Sequence, residues 1–375
     1  MRILHALPAL NRGGTERLVL ALASYQQQQG HRVVVVTFDP LNLWPEESAR
    51  LQLKTFPCTT AIHRLLRRPV HDAQGFAEFL KVWEPDVIHS HSHWTERIVL
   101  ACLDQPGVMR WRPVFIQHFH LEYSEWQRPR WHQIRHWFGR WQLTLSHWRR
   151  GTRFLAVSQA TTAYYRRHLP APLTRRLHCL PNFLALPVRS EPRPAPHTPL
   201  RLLAVGRLVA VKRHDRLLAL AAELIRLGLS FELRLIGDGP LRSELETRIQ
   251  QLGIGDYVQC RGNQPEMLAC YEGADVLLHP AISEPFGLVI LEAMARGLPC
   301  IVEQSSLGPR DFLKPGINGL SADFGDAHGT ARSVIDLSRS PNLYRQVSKS
   351  SIDTATGFLL PSYWQSLSTV YGVPS

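Results

Sequence analysis

Residues 283–297 read SEPFGLVILEAMARG and follow directly on Asp275-Val-Leu-Leu-His-Pro280, an apolar run with the length of a buried strand. Pro285, Phe286 and Gly287 make a turn, and Leu288 to Ala295 is an apolar, helix-forming segment. The reading is strand, loop and helix N-terminus, with one carboxylate before the helix, Glu284, and one further along it, Glu292. A strand that feeds a helix is the repeating unit of a parallel α/β sheet.

The start of a helix presents backbone N–H groups without intrahelical acceptors, together with a partial positive charge. The amides near Phe286, Gly287 and Leu288 are therefore suited to a phosphate or a sugar oxygen. Glu284 and Glu292 suit hydroxyl donors instead, so the stretch fits a ligand with both parts, a sugar nucleotide. The plain alternative is an acid that complements the helix dipole and a second acid that is merely solvated.

Outward from this stretch, strand-like runs alternate with helical patterns. Arg2 to Leu7 is followed by a helix near Thr15 to Gln29, then by Arg32 to Phe38, Asp86 to His91 and Val114 to Phe119. A second series comprises Leu200 to Gly206, Phe231 to Gly237, Tyr257 to Arg261, Asp275 to Pro280 and Pro299 to Val302. Between the two series, residues 187–199 hold five prolines, which continue neither a helix nor a central strand. At 375 residues the chain is too long for one ordinary core. The expected organisation is a first domain over 1–186, a linker over 187–199, a second domain over 200–355, and a terminal helical segment over 356–375. Open parallel sheets take ligands at the carboxyl ends of their strands, and the motifs that follow fall there.

Gly206-Arg207-Leu208 with Lys212, Ile236-Gly237-Asp238-Gly239-Pro240, Pro181-Asn182 and the loop Asn11-Arg12-Gly13-Gly14-Thr15-Glu16 stand in order around the Ser283–Gly297 stretch. In this set the chain resembles glycosyltransferase family 4, retaining enzymes of GT-B architecture, over nearly its whole length. The resemblance implies two doubly wound Rossmann-like domains facing across a cleft, with the last helix packed back on the first domain. It implies transfer of a sugar from a nucleotide-diphosphate donor to a glycan or lipid-linked glycan acceptor, with no cofactor. It also implies that Glu284 contacts the transferred sugar, that Glu292 takes the ribose hydroxyls, and that Gly262 and Asn263 pass near the base. One departure is Ser306-Leu307-Gly308-Pro309-Arg310-Asp311, where the family usually has a Gly-Gly turn and a Glu. A sugar-nucleotide epimerase of the same fold, or a non-catalytic scaffold, is the alternative.

Breaking a sugar–phosphate bond requires stabilisation of a diphosphate as negative charge builds on it. Arg207 and Lys212, with the helix start at Phe286, Gly287 and Leu288, can supply this in place of a divalent metal, so no metal centre is expected. In the first domain, Gly13 and Gly14 permit close approach to a ligand phosphate, or serve a turn that needs positive φ. His89, His91 and His93 alternate at a strand end, which would put all three on one face. They fit an acceptor hydroxyl, a metal ion, or plain strand-end positions. His118 and His120 stand where the resemblance implies one histidine beside the anomeric carbon, and His118 lies nearer the end of the apolar run.

Hydrophobic content of 44% and charged content of 20% are those of a globular protein, and no apolar run reaches the roughly 18 residues needed to cross a bilayer. The N-terminus shows no signal-peptide pattern, and six scattered cysteines form no Cys-x-x-Cys pair, so a cytoplasmic protein without disulfides or zinc-binding cysteines is expected. The net charge of +12 belongs to the first half: residues 1–186 hold 24 Lys and Arg against 12 Asp and Glu, and residues 187–375 hold 19 against 19. From Trp126 to Arg150 five tryptophans stand among six arginines with no acid. Apolar residues at 131, 134, 138, 141, 145 and 148 give one greasy helical face with cationic edges. That composition suits an anionic membrane surface at the inner face of the plasma membrane, where a lipid-linked acceptor would lie. The competing reading packs these tryptophans against their own domain. Nucleic acid is not expected, because no nucleic-acid motif accompanies the charge.

Overall fold

The computed structural model describes residues 1–58, 73–105, 108, 112–121 and 134–372, with side chains in the last segment from residue 140 onward. The chain divides into two units, Met1–Ala185 with Leu360–Ser375, and Leu186–Leu359.

The first unit carries a parallel sheet of β1 (Arg2–Leu7), β2 (Arg32–Thr37), β3 (Gln52–Thr55), β4 (Val87–Ser90), β5 (Val114–Phe119), β6 (Arg153–Ala156) and β7 (Leu177–Cys179), in the order β3-β2-β1-β4-β5-β6-β7. Four consecutive valines, Val33 to Val36, explain β2: β-branched residues suit the pleat, and both faces are buried beneath helices. Four short strands, β3, β6, β7 and a later one over 320–322, lack a long apolar run and were not legible from local pattern. They form because a neighbour already in the sheet offers a row of unpaired backbone groups.

The second unit carries β8 (Leu200–Val205), β9 (Phe231–Ile236), β10 (Val258–Gly262), β11 (Val276–His279), β12 (Cys300–Glu303) and β13 (Leu320–Ala322), all parallel, in the order β10-β9-β8-β11-β12-β13. The helix Asp215–Arg226 shows how the layers close, since it buries Leu217, Leu218, Leu220, Ala221 and Leu224 on one side. In each sheet the chain leaves the first strand in one direction and later returns on its other side. The switch points therefore lie between β1 and β4, and between β8 and β11.

The proline-rich stretch 187–199 is not a free connector. Arg193 is buried, and its guanidinium donates to the carbonyls of Tyr271 (2.6 Å), Ala274 (2.6 Å) and Arg296 (2.9 Å). Tyr271 lies in the last turn of the helix Met267–Glu272, where carbonyls lack intrahelical donors. Prolines prevent regular structure here, but the arginine fork fastens the stretch to the second unit. The last helix, Leu360–Tyr371, belongs to the first unit, where Tyr363 packs on Phe183 with ring centroids 4.7 Å apart.

Candidate active site

In the second unit, backbone passes backbone closely at the carboxyl ends of the strands. Gly237 has φ +131° and donates its N–H to the carbonyl of Gly262 at 2.9 Å. A Cβ at Gly237 would lie 2.0 Å from the Gly206 carbonyl oxygen, and one at Gly239 would lie 2.5 Å from that of Leu208. Gly262 has φ +66° and ends β10, and Asn263 is exposed just beyond it. These glycines let the ends of β8, β9 and β10 form a low backbone platform that side chains would otherwise fill.

Charge stands beside the platform. Arg207 is exposed and makes no ion pair among the described residues. The Lys212 ammonium donates to Glu284, with the two side chains 18% and 14% exposed, and Glu284 also meets His279 at 3.0 Å. Burial alone would raise the Glu284 carboxyl, yet the His279 hydrogen bond and the Lys212 charge hold it down at about 2. Burial also lowers His279, and it lowers the neighbouring His214 to about 4. Gly287, at φ +99°, caps the helix Leu288–Ala295, and the amides of Phe286, Gly287 and Leu288 meet no backbone acceptor among the described residues. The Phe286 ring is buried against Phe312, so this residue offers its amide and not its side chain. Glu292 accepts a hydrogen bond from the buried Tyr271 hydroxyl at 2.7 Å, which orients its carboxylate.

The first unit builds something different at its own switch point. His5 on β1 and His89 on β4 are paired in register, and His91, His118 and His120 join them in one stack of rings. Gln26, from the helix Gly14–Gln28, organises the protons. Its carbonyl oxygen must accept from His5 Nε2 (2.7 Å), so His5 Nδ1 accepts from His91 Nε2 (3.0 Å), and His91 Nδ1 accepts from His120 Nε2 (3.2 Å). A second chain links the Gln26 amide to the Tyr371 hydroxyl (3.5 Å), Tyr371 to His89 Nδ1 (2.8 Å), and His89 Nε2 to His118 Nδ1 (3.2 Å). No carbonyl fixes the direction of this second chain. At its end His118 Nε2 is buried without a hydrogen-bond partner. Burial lowers all five imidazoles, His5 to about 4 and His120 to about 3, and nearby histidine charges lower His89, His91 and His118 further. The stack is neutral at neutral pH.

The family model described as Glycosyltransferase Family 4 matches residues 12–186, and that described as Glycosyl transferases group 1 matches residues 189–354. The chain belongs to this glycosyltransferase family. A lipopolysaccharide core biosynthesis glycosyltransferase, LpsE of Rhizobium meliloti (strain 1021), is 32% identical over 156 residues, which cover 42% of this chain and 44% of that protein. The match thus spans less than half of that relative. EpsF of Bacillus subtilis (strain 168), which also carries a glycosyltransferase name, is 27% identical over 81% of this chain and 79% of its own. The structure of HepE from Anabaena, solved with UDP and glucose, shares the fold at a TM-score of 0.80 and 15% identity, covering 100% of both chains.

Within this family member, several sites expected from sequence are placed differently from a simple linear reading. His93 does not share the face of His89 and His91. Ser92 accepts from the Thr95 amide at 3.1 Å and starts the helix His93–Leu103, which turns His93 toward Glu96 at 2.5 Å. Gly13 is extended at φ −132° and Gly14 begins a helix, so neither supplies a left-handed turn. The loop Ser306–Asp311 meets Glu284 through its backbone: the Gly308 amide donates to the Glu284 carbonyl at 3.1 Å, and a Cβ there would lie 2.2 Å from that oxygen. Sequence reading missed His5, Gln26, Tyr371 and His279. Gln26 and Tyr371 were hidden because they sit on helices far along the chain from the strands they serve, while His5 and His279, near the ends of apolar strands, carried a usable signal.

Trp126 and Trp131 lie outside the described residues, as do Arg128 and Arg130. In the helix Ile134–Arg150, Leu143 and His147 are buried, whereas Trp141 is 60% and Trp148 54% exposed. Of the expected apolar stripe, Trp141 and Trp148 therefore lie mostly off the face that docks this helix, and Leu145 is half-buried. His147 anchors the docked face through Glu96 at 2.9 Å. Among the described residues no helix is long and apolar enough to cross a membrane.

Proposed function

We propose that the chain is a retaining hexosyltransferase that moves a sugar from a nucleotide-diphosphate donor to a glycan or lipid-linked glycan acceptor in bacterial surface polysaccharide or lipopolysaccharide assembly. The observation that carries this reading is the exposed Arg207 beside the Lys212–Glu284 pair on the glycine platform. An arriving diphosphate would take Arg207 and draw Lys212 from Glu284, releasing that carboxylate for the hydroxyls of the transferred sugar. The amides of Phe286, Gly287 and Leu288 would hold phosphate oxygens, and Glu292, oriented by Tyr271, the ribose hydroxyls near Gly262 and Asn263.

In the front-face reaction the bond from the anomeric carbon to the diphosphate breaks, the acceptor oxygen bonds to the same face, and a donor phosphate oxygen takes the acceptor proton. Arg207, Lys212 and the helix start stabilise the leaving charge without a divalent ion on the diphosphate. The first unit would supply the acceptor side through Gly13, Gly14 and His91, with His118 or His120 orienting the sugar. A thermal-shift screen of UDP-, GDP-, ADP- and CMP-sugars, repeated with Lys212→Ala, tests the assignment. A stabilising sugar nucleotide unaffected by that substitution would move the phosphate site elsewhere, and transfer that requires added Mg²⁺ or Mn²⁺ would end the metal-independent reading.

The exposed Trp141 and Trp148, next to Arg149, would dock the enzyme on an anionic cytoplasmic leaflet. Flotation should recover the chain with anionic liposomes and not with neutral ones, and Trp141→Ala with Trp148→Ala should reduce recovery. Equal recovery with both lipids, or none with either, rejects this docking.

A further inference from the structure

We infer that His91, His118 and His120 form a binding site for a divalent transition-metal ion of the Zn²⁺ class, separate from the donor diphosphate. Each offers a ring nitrogen, and these atoms lie within 4.8 Å of one another. His91 Nδ1 and His120 Nε2 are already 3.2 Å apart. Neighbouring nitrogens around a tetrahedral zinc are about 3.3 Å apart, given metal–nitrogen bonds of about 2.0–2.1 Å. The third donor is His118 Nε2, the buried nitrogen that the hydrogen-bond network leaves without a partner.

Two further observations make this a built site. Ligating histidines ordinarily donate their other ring N–H to an acceptor that fixes the ring, and two of these three have such a partner. His91 Nε2 donates to His5, which donates to Gln26. His118 Nδ1 faces His89 Nε2, and His89 Nδ1 faces the Tyr371 hydroxyl. Because no carbonyl fixes the direction of this second chain, its protons can all point toward Tyr371, which leaves the lone pair of His118 Nε2 for a metal. The only proton displaced at the ion is the one between His91 and His120. The second observation is space: a cavity of about 10 Å³ is lined by these three histidines with Asn182, Phe183 and Tyr363. That is room for roughly one small particle. Three imidazoles suit Zn²⁺, Cu²⁺ or Ni²⁺ better than Mg²⁺ or Ca²⁺, and three protein ligands leave a position for water.

The inference shares His91, His118 and His120 with the sugar-orienting role proposed above, whereas the diphosphate site lies in the second unit, so failure to bind a metal leaves the donor assignment standing. The test uses the full-length chain without a polyhistidine tag. After purification and desalting, elemental analysis should find one transition-metal ion per chain, and the chelator-stripped protein titrated with Co²⁺ should develop the visible band of a four-coordinate site at one equivalent. His118→Ala and His120→Gln should abolish both signals, and Lys212→Ala should leave both unchanged. Sub-stoichiometric metal in a folded wild-type chain together with no Co²⁺ band overturns the site, as does full metal retention in His118→Ala. If a histidine variant fails to fold, the wild-type stoichiometry and Co²⁺ titration still decide.

Discussion

The two switch points occupy the same place in the same kind of sheet and are furnished in opposite ways. At the ends of β1, β4 and β5 lie four buried imidazoles and a fifth, His120, that is partly exposed, held neutral and tied together by Gln26 and Tyr371. Between β8 and β11 lie an ion pair, an exposed arginine and a platform of glycines. Topology provides the crevice and leaves its electrostatics to a few side chains at the strand ends. The charged crevice matches an anion. The neutral one matches groups that need lone pairs or N–H donors without charge.

The contrast can be broken most directly at Lys212. Lys212→Ala should lower kcat/KM by roughly 100- to 1,000-fold, the scale of losing one preorganised donor to developing charge. Steady-state kinetics would show it, and an undiminished rate would remove Lys212 from the diphosphate site. Gly237→Ala asks whether the platform is backbone-limited. Its new Cβ would sit 2.0 Å from the Gly206 oxygen at a left-handed φ, which should cost about 2–4 kcal/mol in urea unfolding and displace the loop that bears Arg207.

Gln26→Leu sharpens the other side. It removes the acceptor that orders His5, His91 and His120 and should destabilise the chain by about 1–3 kcal/mol, while the thermal shift given by a sugar nucleotide persists. Loss of that shift would mean the two crevices are not independent.

The smallest effect is the pH dependence. His5 and His120 titrate in the folded chain at about 4 and about 3, below the ordinary histidine value near 6.5. The unfolded chain therefore binds more protons as the medium becomes acidic. Their stabilisation is complete above about pH 6.5, begins to fall there, and is lost progressively down to the folded values. In the second unit, Glu284 keeps its contribution above the ordinary carboxylate range and loses it only toward about 2, although His214 follows the histidine pattern. Thermal melts of the chelator-stripped chain from pH 7 to pH 5 should lower the midpoint of the first unit more than that of the second, and the reverse order would contradict the assignment of buried neutral histidines.

Much of this protein is legible without coordinates, because some signals are local. Four valines in succession, an apolar run ending at His279, and Pro285-Phe286-Gly287 before a helix former each specify their own conformation within a few residues. In the Trp and Arg segment the helix over Ile134–Arg150 is likewise announced, whereas the face on which it docks is not. The short strands Gln52–Thr55, Arg153–Ala156, Leu177–Cys179 and Leu320–Ala322 do not, since each becomes a strand only when a neighbour completes its hydrogen bonds.

The sites divide along the same line. Residue type at the strand ends marks Arg207, Lys212, Glu284, His91, His118 and His120 as chemistry-bearing. Partnership does not follow from type. That Lys212 rests on Glu284, that Gln26 and Tyr371 hold a stack of histidines, that His93 turns away with its helix, and that Trp141 faces outward all depend on distance across the folded chain. Local propensity acts over a few residues. Hydrogen bonds, ion pairs and burial act between whichever residues packing has brought together.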